Sequence, residues 1–405
     1  PRSTLSSSSA ASDVYKRQLI TLRRRTTSVI QTVDHSRAIA KKKIPKAVWD
    51  FIDGGAGDEQ AIAANRHSLN DVVFQPKYLV DVSKPDTSLT IFGKPVSNPL
   101  ILSPSGLATL AHPDGEIAVA RAAQGAGAIF CLSTGSGNSI EEVGEQSQGR
   151  LWFQLYLWKS QDVISTLIHR AQTSGYEALR VTVDVPVVGK RERDLRNGMS
   201  LPVTIRPGQY WHYLSRPRWV SGIVKNPAIT FGNLTDIASG DDASSIGQHV
   251  NNELNDPSKT WEDLRRIRSQ WSGPLLVKGI MHPDDAKTAE SIGVDGIIVS
   301  NHGGRQFSSV PGIATVFPQI RDAVSDRVEL FFDGGIRRGE DIVKAHALGA
   351  TAACSGRCWF WGLAANGEQG VTDVLEILNQ ETKDTLSLIG ERKLSDVGAH
   401  NLYQS

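Results

Sequence analysis

Residues 300–306 read S-N-H-G-G-R-Q and follow the apolar run G-I-I-V. An imidazole titrates near neutral pH, with an unperturbed pKa of ~6.5, so His302 can take a proton under ordinary conditions. Arg305 carries a planar fork that binds a carboxylate through two parallel hydrogen bonds. Asp184 ends the run V-T-V-D and can stabilise a charged imidazole, as an aspartate does in a catalytic triad. Lys278 lies inside the otherwise apolar stretch L-L-V-K-G-I, where an unpaired ammonium would be costly. A salt bridge inside the fold and a charge aimed at a ligand both answer that cost. The stretches D-G-G-I-R-R-G (333–339) and S-G-R (355–357) add glycines for close approach, with Arg337 and Arg357 as fixed cations. Backbone N–H groups and a cation are what a phosphate requires.

Those residues need elements to hold them. From about residue 95, short apolar runs alternate with helix-like stretches. The runs are P-L-I-L-S-P-S-G (99–106), A-I-F-C-L-S-T (128–134), L-W-F-Q-L-Y (151–156) and A-L-R-V-T-V-D (178–184). After a long interruption come P-L-L-V-K-G-I (274–280), G-I-I-V-S-N-H (296–302), E-L-F-F-D-G-G (329–335) and T-A-A-C-S-G (351–356). Most are bounded by Gly or Pro and apolar on both faces, as parallel strands buried on both sides must be. Helical stretches such as P-D-D-A-K-T-A-E-S-I-G lie between them, this one with Asp in its first turn and Gly293 as its stop. Eight such repeats predict an α/β fold, a (β/α)8 TIM barrel, with an N-terminal helical extension and a long loop insertion after strand four. The eighth run is the least apolar, because of Cys354 and Ser355.

Barrel sites form where strands run into the following loops. Nearly every run here ends in polar residues: Ser103 and Ser105, Ser133 and Thr134, Gln154 and Tyr156, Thr182 and Asp184, Lys278, Asn301 and His302, Asp333, Ser355 and Arg357. One polar strand end is routine hydrogen bonding. Eight on one rim point to a site.

The 405 residues carry a formal net charge of +1, which gives no reason to expect a nucleic-acid partner. Cys131, Cys354 and Cys358 have no metal-ligand spacing and are too few for a disulfide framework, so reduced thiols in an intracellular protein, and no metal, are expected. No run approaches the ~20 apolar residues of a membrane span. Residues 1–27, rich in serine and arginine, read as a translated cloning scar or as a targeting presequence, the scar being preferred. Residues 28–400 are expected to form one barrel domain, with residues 195–260 inserted. From Arg196 to Thr235 that insertion has no acid, yet carries Arg206, Arg216, Arg218 and Lys225 beside Tyr210, Trp211, Tyr213 and Trp219. Such a mixture suits peripheral membrane contact through about 205–225, and equally an active-site lid or an oligomer contact.

Taken together, S-N-H-G-G-R-Q, L-V-K-G, F-F-D-G-G-I-R-R-G, W-F-Q-L-Y and V-T-V-D-V-P occur in the order and at the strand ends of one family. From about 30 to 400 the chain resembles the FMN-dependent L-2-hydroxy-acid oxidising enzymes, which include glycolate oxidase and the lactate and mandelate dehydrogenases. The resemblance implies FMN as cofactor. Gly335, Arg337, Gly356 and Arg357 would hold its phosphate, Asp333 its ribityl hydroxyls, and Lys278 its ring. Ser103, Ser105, Ser133, Gln154, Thr182 and Ser300 match positions that contact the ring or ribityl chain. It further implies His302 as base, Asp184 as its partner, Arg305 and Arg191 as carboxylate ligands, and Tyr156 at the substrate hydroxyl. One position departs: Phe51 stands where the family often has a tyrosine that binds substrate carboxylate. A phenyl ring donates no such hydrogen bond, so the site is expected either to bind carboxylate through its arginines alone or to favour a larger apolar side group such as an aromatic ring, which makes short acids like glycolate less secure.

The resemblance also bears on the electron acceptor. Gly106 stands where the oxidases usually carry alanine, and the insertion with R-P-R-W resembles the membrane-associating segment of the bacterial mandelate and lactate dehydrogenases. The expected activity is oxidation of a lactate- or mandelate-like L-2-hydroxy acid, with electrons passing to quinone or another carrier. The alternative is a soluble oxidase that makes hydrogen peroxide from oxygen. A homotetramer is implied. The expected location is the cytoplasm, with peripheral contact at the inner face of a membrane, a mitochondrial address depending on residues 1–27.

Overall fold

The computed structural model describes residues 30–199, 210–225, 231–237, 253 and 256–403. The expectations placed on residues 1–27, on 205–209 and on the remaining stretches of the insertion lie outside the described residues.

Eight parallel strands close into a barrel in chain order. They are β1 (Leu100–Leu102), β2 (Ile129–Ser133), β3 (Leu151–Tyr156), β4 (Ala178–Thr182), β5 (Leu275–Ile280), β6 (Gly296–Ser300), β7 (Glu329–Asp333) and β8 (Ala352–Ser355). Nearly all their residues are buried, which is why the runs are apolar on both faces rather than alternating. The least apolar run closes the ring: β8 pairs Ala353 with Leu100 and Ser355 with Leu102 on one side, and Ala353 with Phe332 on the other. Burial pushes the Cys354 thiol up to about 12, so it stays protonated and behaves as a small apolar residue.

A hairpin of Leu89–Ile91 and Lys94–Val96 stops the N-terminal mouth of the barrel. At its tip Phe92 packs 5.7 Å from the Trp152 ring and 5.9 Å from Phe331, while its N–H donates to Glu329 at 2.8 Å. The opposite mouth, where the polar strand ends gather, is left for chemistry. Three helices precede the barrel: α1 (Val33–Lys43), α2 (Lys46–Asp53) and α3 (Gln60–Asn70). The side chain of Thr32 accepts from His35 N–H at the start of α1, and Lys41, Lys42 and Lys43 lie at its negative end. The helix before β6, Pro283–Ile292, stops as its sequence predicts, on Gly293 in the left-handed conformation. Within the insertion, α4 (Pro217–Lys225) is followed by a turned segment at 231–237 that returns to the barrel rim. The chain's last long helix, α5 (Arg357–Ile389), is kinked at Asn366 and Gly367. No helix among the described residues is long and apolar enough to cross a membrane.

Trp152 is fully buried between Phe92 and Phe331. Trp152→Ala should therefore cost about 3–5 kcal/mol of unfolding free energy, measured by denaturant titration. A loss below about 1 kcal/mol would mean that the stopper does not hold this end of the barrel.

Candidate active site

β6 ends at Ser300, and the chain then makes a tight turn through His302–Gly304. His302, Gly303 and Gly304 all have positive φ, at 56°, 62° and 75°. Glycine adopts this conformation freely; in a histidine it costs on the order of 1–3 kcal/mol and persists only where its surroundings impose it. The surroundings are on hand. The His302 N–H donates to Ser300 Oγ at 3.1 Å, and Gly304 N–H to Asn301 Oδ1 at 3.2 Å. The Gly304 carbonyl accepts from Ala56 N–H at 2.9 Å, and the Gly303 carbonyl from Arg357 at 2.8 Å. Asn301 and Asn65 exchange two side-chain hydrogen bonds of 2.9 Å, and Asn65 Oδ1 also accepts from Ile313 N–H at 3.1 Å. The turn is thus clamped to α3, and the two glycines are needed because the backbone reverses immediately after the histidine.

Asp184 stands two residues beyond β4 and meets His302 across the rim. Its Oδ1 lies 2.9 Å from His302 Nδ1, which leaves Nε2 for the barrel mouth. Lys278 Nζ lies 3.4 Å from His302 Nδ1, 3.6 Å from Asp184 and 3.8 Å from Asp333. Gly279, with φ 104°, explains the K-G pair: a Cβ there would sit 2.5 Å from that of Asp184. Asp333 accepts from Ser103 and Ser300 at 2.8 Å each and from Arg180 at 3.3 Å. Burial works to raise the Asp184 carboxyl, but Lys278 and His302 outweigh it and hold it at about 2. His302 is pulled below its ordinary value by burial and by the Lys278 ammonium, against the opposing pull of Asp184. It is therefore neutral and able to accept a proton at neutral pH.

A cavity of about 600 Å³ opens above this cluster. Tyr156, Arg191, His302 and Arg305 line it, with Ser103, Ser105, Ser133, Lys278, Asp333, Gly356 and Arg357. Burial, then Asp184, pushes the Tyr156 hydroxyl up to about 12, so it stays protonated as a donor. Arg305 donates from one nitrogen to the carbonyls of Phe51 at 2.6 Å and Gly54 at 3.1 Å, and its guanidinium lies 5.2 Å over the Phe51 ring. Phe51 thus braces the arginine through its π face, a role that the missing hydroxyl did not suggest. Arg191 is held by Asp194 at 2.8 Å. Gly106 has a packing cause of its own, because a Cβ there would meet the Gly135 carbonyl at 2.8 Å.

Asp184, Gln154, Thr182, Ser300, Gly335 and Arg337 lie behind or beside this wall rather than on it. Gln154 accepts from Ser133 at 3.2 Å, while its Nε2 and the Thr182 hydroxyl have no partner among the described residues. Arg337 stacks 4.6 Å from the Trp361 ring. Arg338 starts the helix Gly339–Ala347 and pairs with Glu381 at 3.2 Å, an ordinary structural residue.

Four contributors escaped the sequence reading. Arg180, fully buried under Asp333, had a visible signal, namely an arginine in the middle of an apolar strand. Asn65 had none, since its partner is 236 residues away. Phe231 and Leu234 bring part of the insertion to the cavity wall, anchored by Asn233, which donates to Ser133 O at 3.2 Å and Thr134 O at 3.1 Å. Asn65→Ala would remove both amide–amide hydrogen bonds to Asn301 and leave Ile313 N–H without its partner, and should cost about 2–3 kcal/mol in denaturant unfolding. An unchanged midpoint would show that the amide pair does not hold the turn.

Comparison with known proteins agrees with this geometry. Residues 40–404 match the model of the FMN-dependent dehydrogenase family. An L-lactate dehydrogenase of Caulobacter is 38% identical over 380 residues, covering 91% of this chain and 97% of its own. Glycolate oxidase 1 of rice (Oryza sativa subsp. indica) is 37% identical over 378 residues, covering 92% and 96%. The crystal structure of the monotopic membrane protein (S)-mandelate dehydrogenase superposes with a TM-score of 0.89 at 37% identity, over 92% of this chain and 99% of that one. The chain belongs to the FMN-dependent dehydrogenases and is an FMN-dependent enzyme that oxidises 2-hydroxy acids.

Proposed function

We propose that the enzyme oxidises an L-2-hydroxy acid with a bulky apolar or aromatic side group, mandelate-like more than lactate-like, and passes the electrons to a quinone or another carrier. The observation that carries this reading is neutral His302, backed by Asp184 and lining one cavity together with Arg305 and Arg191. Phe51, Val188, Met199, Phe231 and Leu234 supply an apolar wall suited to such a side group. The Phe51 ring, occupied with Arg305, offers short acids no hydroxyl.

FMN fits the residues present. Lys278 reaches the barrel mouth, Gln154 and Thr182 have donors to spare, and Gly356 lies beside Arg357 on the side where a phosphate would rest. Ser103, Ser105, Ser133 and Ser300 would line the ring and ribityl chain; Gly335, Arg337, Gly356 and Arg357 would hold the phosphate. When bound, FMN supplies the acceptor for the two electrons. The chain's own groups do the rest. Arg305 and Arg191 clamp the substrate carboxylate, the Tyr156 hydroxyl bonds the substrate oxygen, and His302 Nε2 takes one of the two substrate hydrogens as a proton, the other leaving with the two electrons to the bound acceptor. Asp184 holds the resulting imidazolium. Asp333, which accepts from Ser103, Ser300 and Arg180, helps to position Lys278 and would offer its remaining lone pairs to the ribityl hydroxyls.

Residues 28–400 would act as one unit in a homotetramer. Exposed Tyr210, Trp211 and Leu214 support peripheral membrane contact through about 205–225 from the cytoplasmic side. Such contact favours a lipid-dissolved acceptor over oxygen.

Anaerobic addition of (S)-mandelate should bleach the flavin faster than L-lactate, and L-lactate faster than glycolate. If no 2-hydroxy acid bleaches it, the reading fails. His302→Gln should keep FMN but be reduced roughly a hundredfold or more slowly. Phe51→Tyr should raise kcat/KM for glycolate relative to mandelate; an unchanged ratio would remove Phe51 from the specificity account. In one vessel, dye reduction should outrun oxygen consumption, and the reverse would identify an oxidase.

A further inference from the structure

Gln306 closes the motif S-N-H-G-G-R-Q and takes no part in the chemistry above. It lines the active-site cavity, half-buried, and its side-chain carbonyl accepts from Gly189 N–H at 2.8 Å. That bond joins two loops. One follows β6 and carries His302 and Arg305; the other follows β4 and carries Asp184 and Arg191. The two backbones nearly touch there, since a Cβ on Gly189 would lie 2.5 Å from the carbonyl oxygens of both Arg305 and Gln306. A third segment receives both loops. In the turn after α2, Ala56 N–H donates to Gly304 O and Gly57 N–H to Lys190 O, each at 2.9 Å. Each arginine therefore follows directly on a carbonyl that is tied down.

The arginines need such holding, because both are cations meant for one carboxylate. Burial, and then Arg191, pull the Arg305 guanidinium down to about 9. Asp194 answers Arg191 at 2.8 Å, whereas Arg305 donates to the Phe51 and Gly54 carbonyls and, among the described residues, to no carboxylate. Repulsion between the two favours parted loops until a carboxylate lies between them. The amide of Gln306 opposes that repulsion with a neutral hydrogen bond, and offers the arginines no rival carboxylate.

We propose that Gln306 is a positioning residue that, through Gly189, sets the separation of Arg305 and Arg191 so that both reach one substrate carboxylate. The inference rests on the assignment of those arginines in the function proposed above, and adds the residue that spaces them.

The test is a double-mutant cycle on the flavin-loaded enzyme, read with (S)-mandelate as substrate and with phenylacetate, which has the carboxylate but no hydroxyl. Phenylacetate binding is followed by its perturbation of the flavin absorbance. Gln306→Met keeps the side chain's length and removes the acceptor; Gly189→Ala pushes the loops apart from the other side. Each should raise KM for mandelate and Kd for phenylacetate roughly tenfold, with kcat lowered less than about threefold and the flavin content unchanged. The double variant should be no worse than the weaker single one, because both changes break one contact. Fully additive losses would overturn the proposal, as would a Gln306→Met enzyme that binds phenylacetate normally or loses kcat as much as carboxylate affinity. Should Gly189→Ala not fold, the split between KM and kcat in Gln306→Met decides alone. Arg305→Met separates the two levels of the argument: if it binds phenylacetate like the wild type, the arginine assignment itself is wrong, whatever Gln306 does.

Discussion

One buried ammonium organises the rim. Lys278 sits 3.6 Å from Asp184 and 3.8 Å from Asp333, and each carboxylate then holds something else in place. Asp184 orients His302; Asp333 gathers Ser103, Ser300 and Arg180. The Lys278 and Arg180 cations balance the two carboxylates, so the cluster carries no net charge before His302 is counted. Protonating His302 would leave an extra positive charge in a poorly solvated place, beside an ammonium 3.4 Å away. A neutral imidazole at neutral pH follows from that balance, and a base must be neutral to act.

The fold makes this cluster affordable. The barrel places Thr182, Lys278, Ser300 and Asp333 on neighbouring strands whose registers align, with Thr182 opposite Lys278 and Ser300 opposite Asp333, and Asp184 follows two residues past the first of these strands. The hairpin stopper closes the other mouth with apolar rings, so solvent and substrate meet the cluster from one side only. The left-handed turn after β6 then lifts His302 over the mouth, and the amide pair of Asn65 and Asn301 ties it to an element outside the barrel. The N-terminal extension is thus part of the site: α2 supplies the Phe51 ring under Arg305, and α3 supplies the clamp.

Much of this was legible in the sequence because barrel chemistry is written at strand ends. The eight runs, their glycine stops and the pairing of His302 with Asp184 are properties of local segments and of a repeating topology. Arg180 was legible and passed over: an arginine between Leu179 and Val181 needs a buried counter-charge, and Asp333 is that charge. The contacts of Asn65, Asn233 and Phe51 were not legible. Each depends on a segment distant in sequence folding back over the rim, and no local pattern of an asparagine or a phenylalanine announces its partner. Phe51 shows the difference most plainly, since its residue type indicated a lost hydrogen bond while its position provides a brace.

The most direct test of the account is the pH dependence of anaerobic flavin reduction by a saturating hydroxy acid, followed by stopped flow and compared with kcat/KM. With His302 held below its ordinary value of 6.5, the acid limb of kcat/KM should have its midpoint below that value. Asp184→Asn, which removes the one group that supports the proton, should move the midpoint lower still while slowing reduction. A wild-type midpoint at or above 6.5, or an Asp184→Asn midpoint displaced upward, would contradict the balanced-charge account of the base.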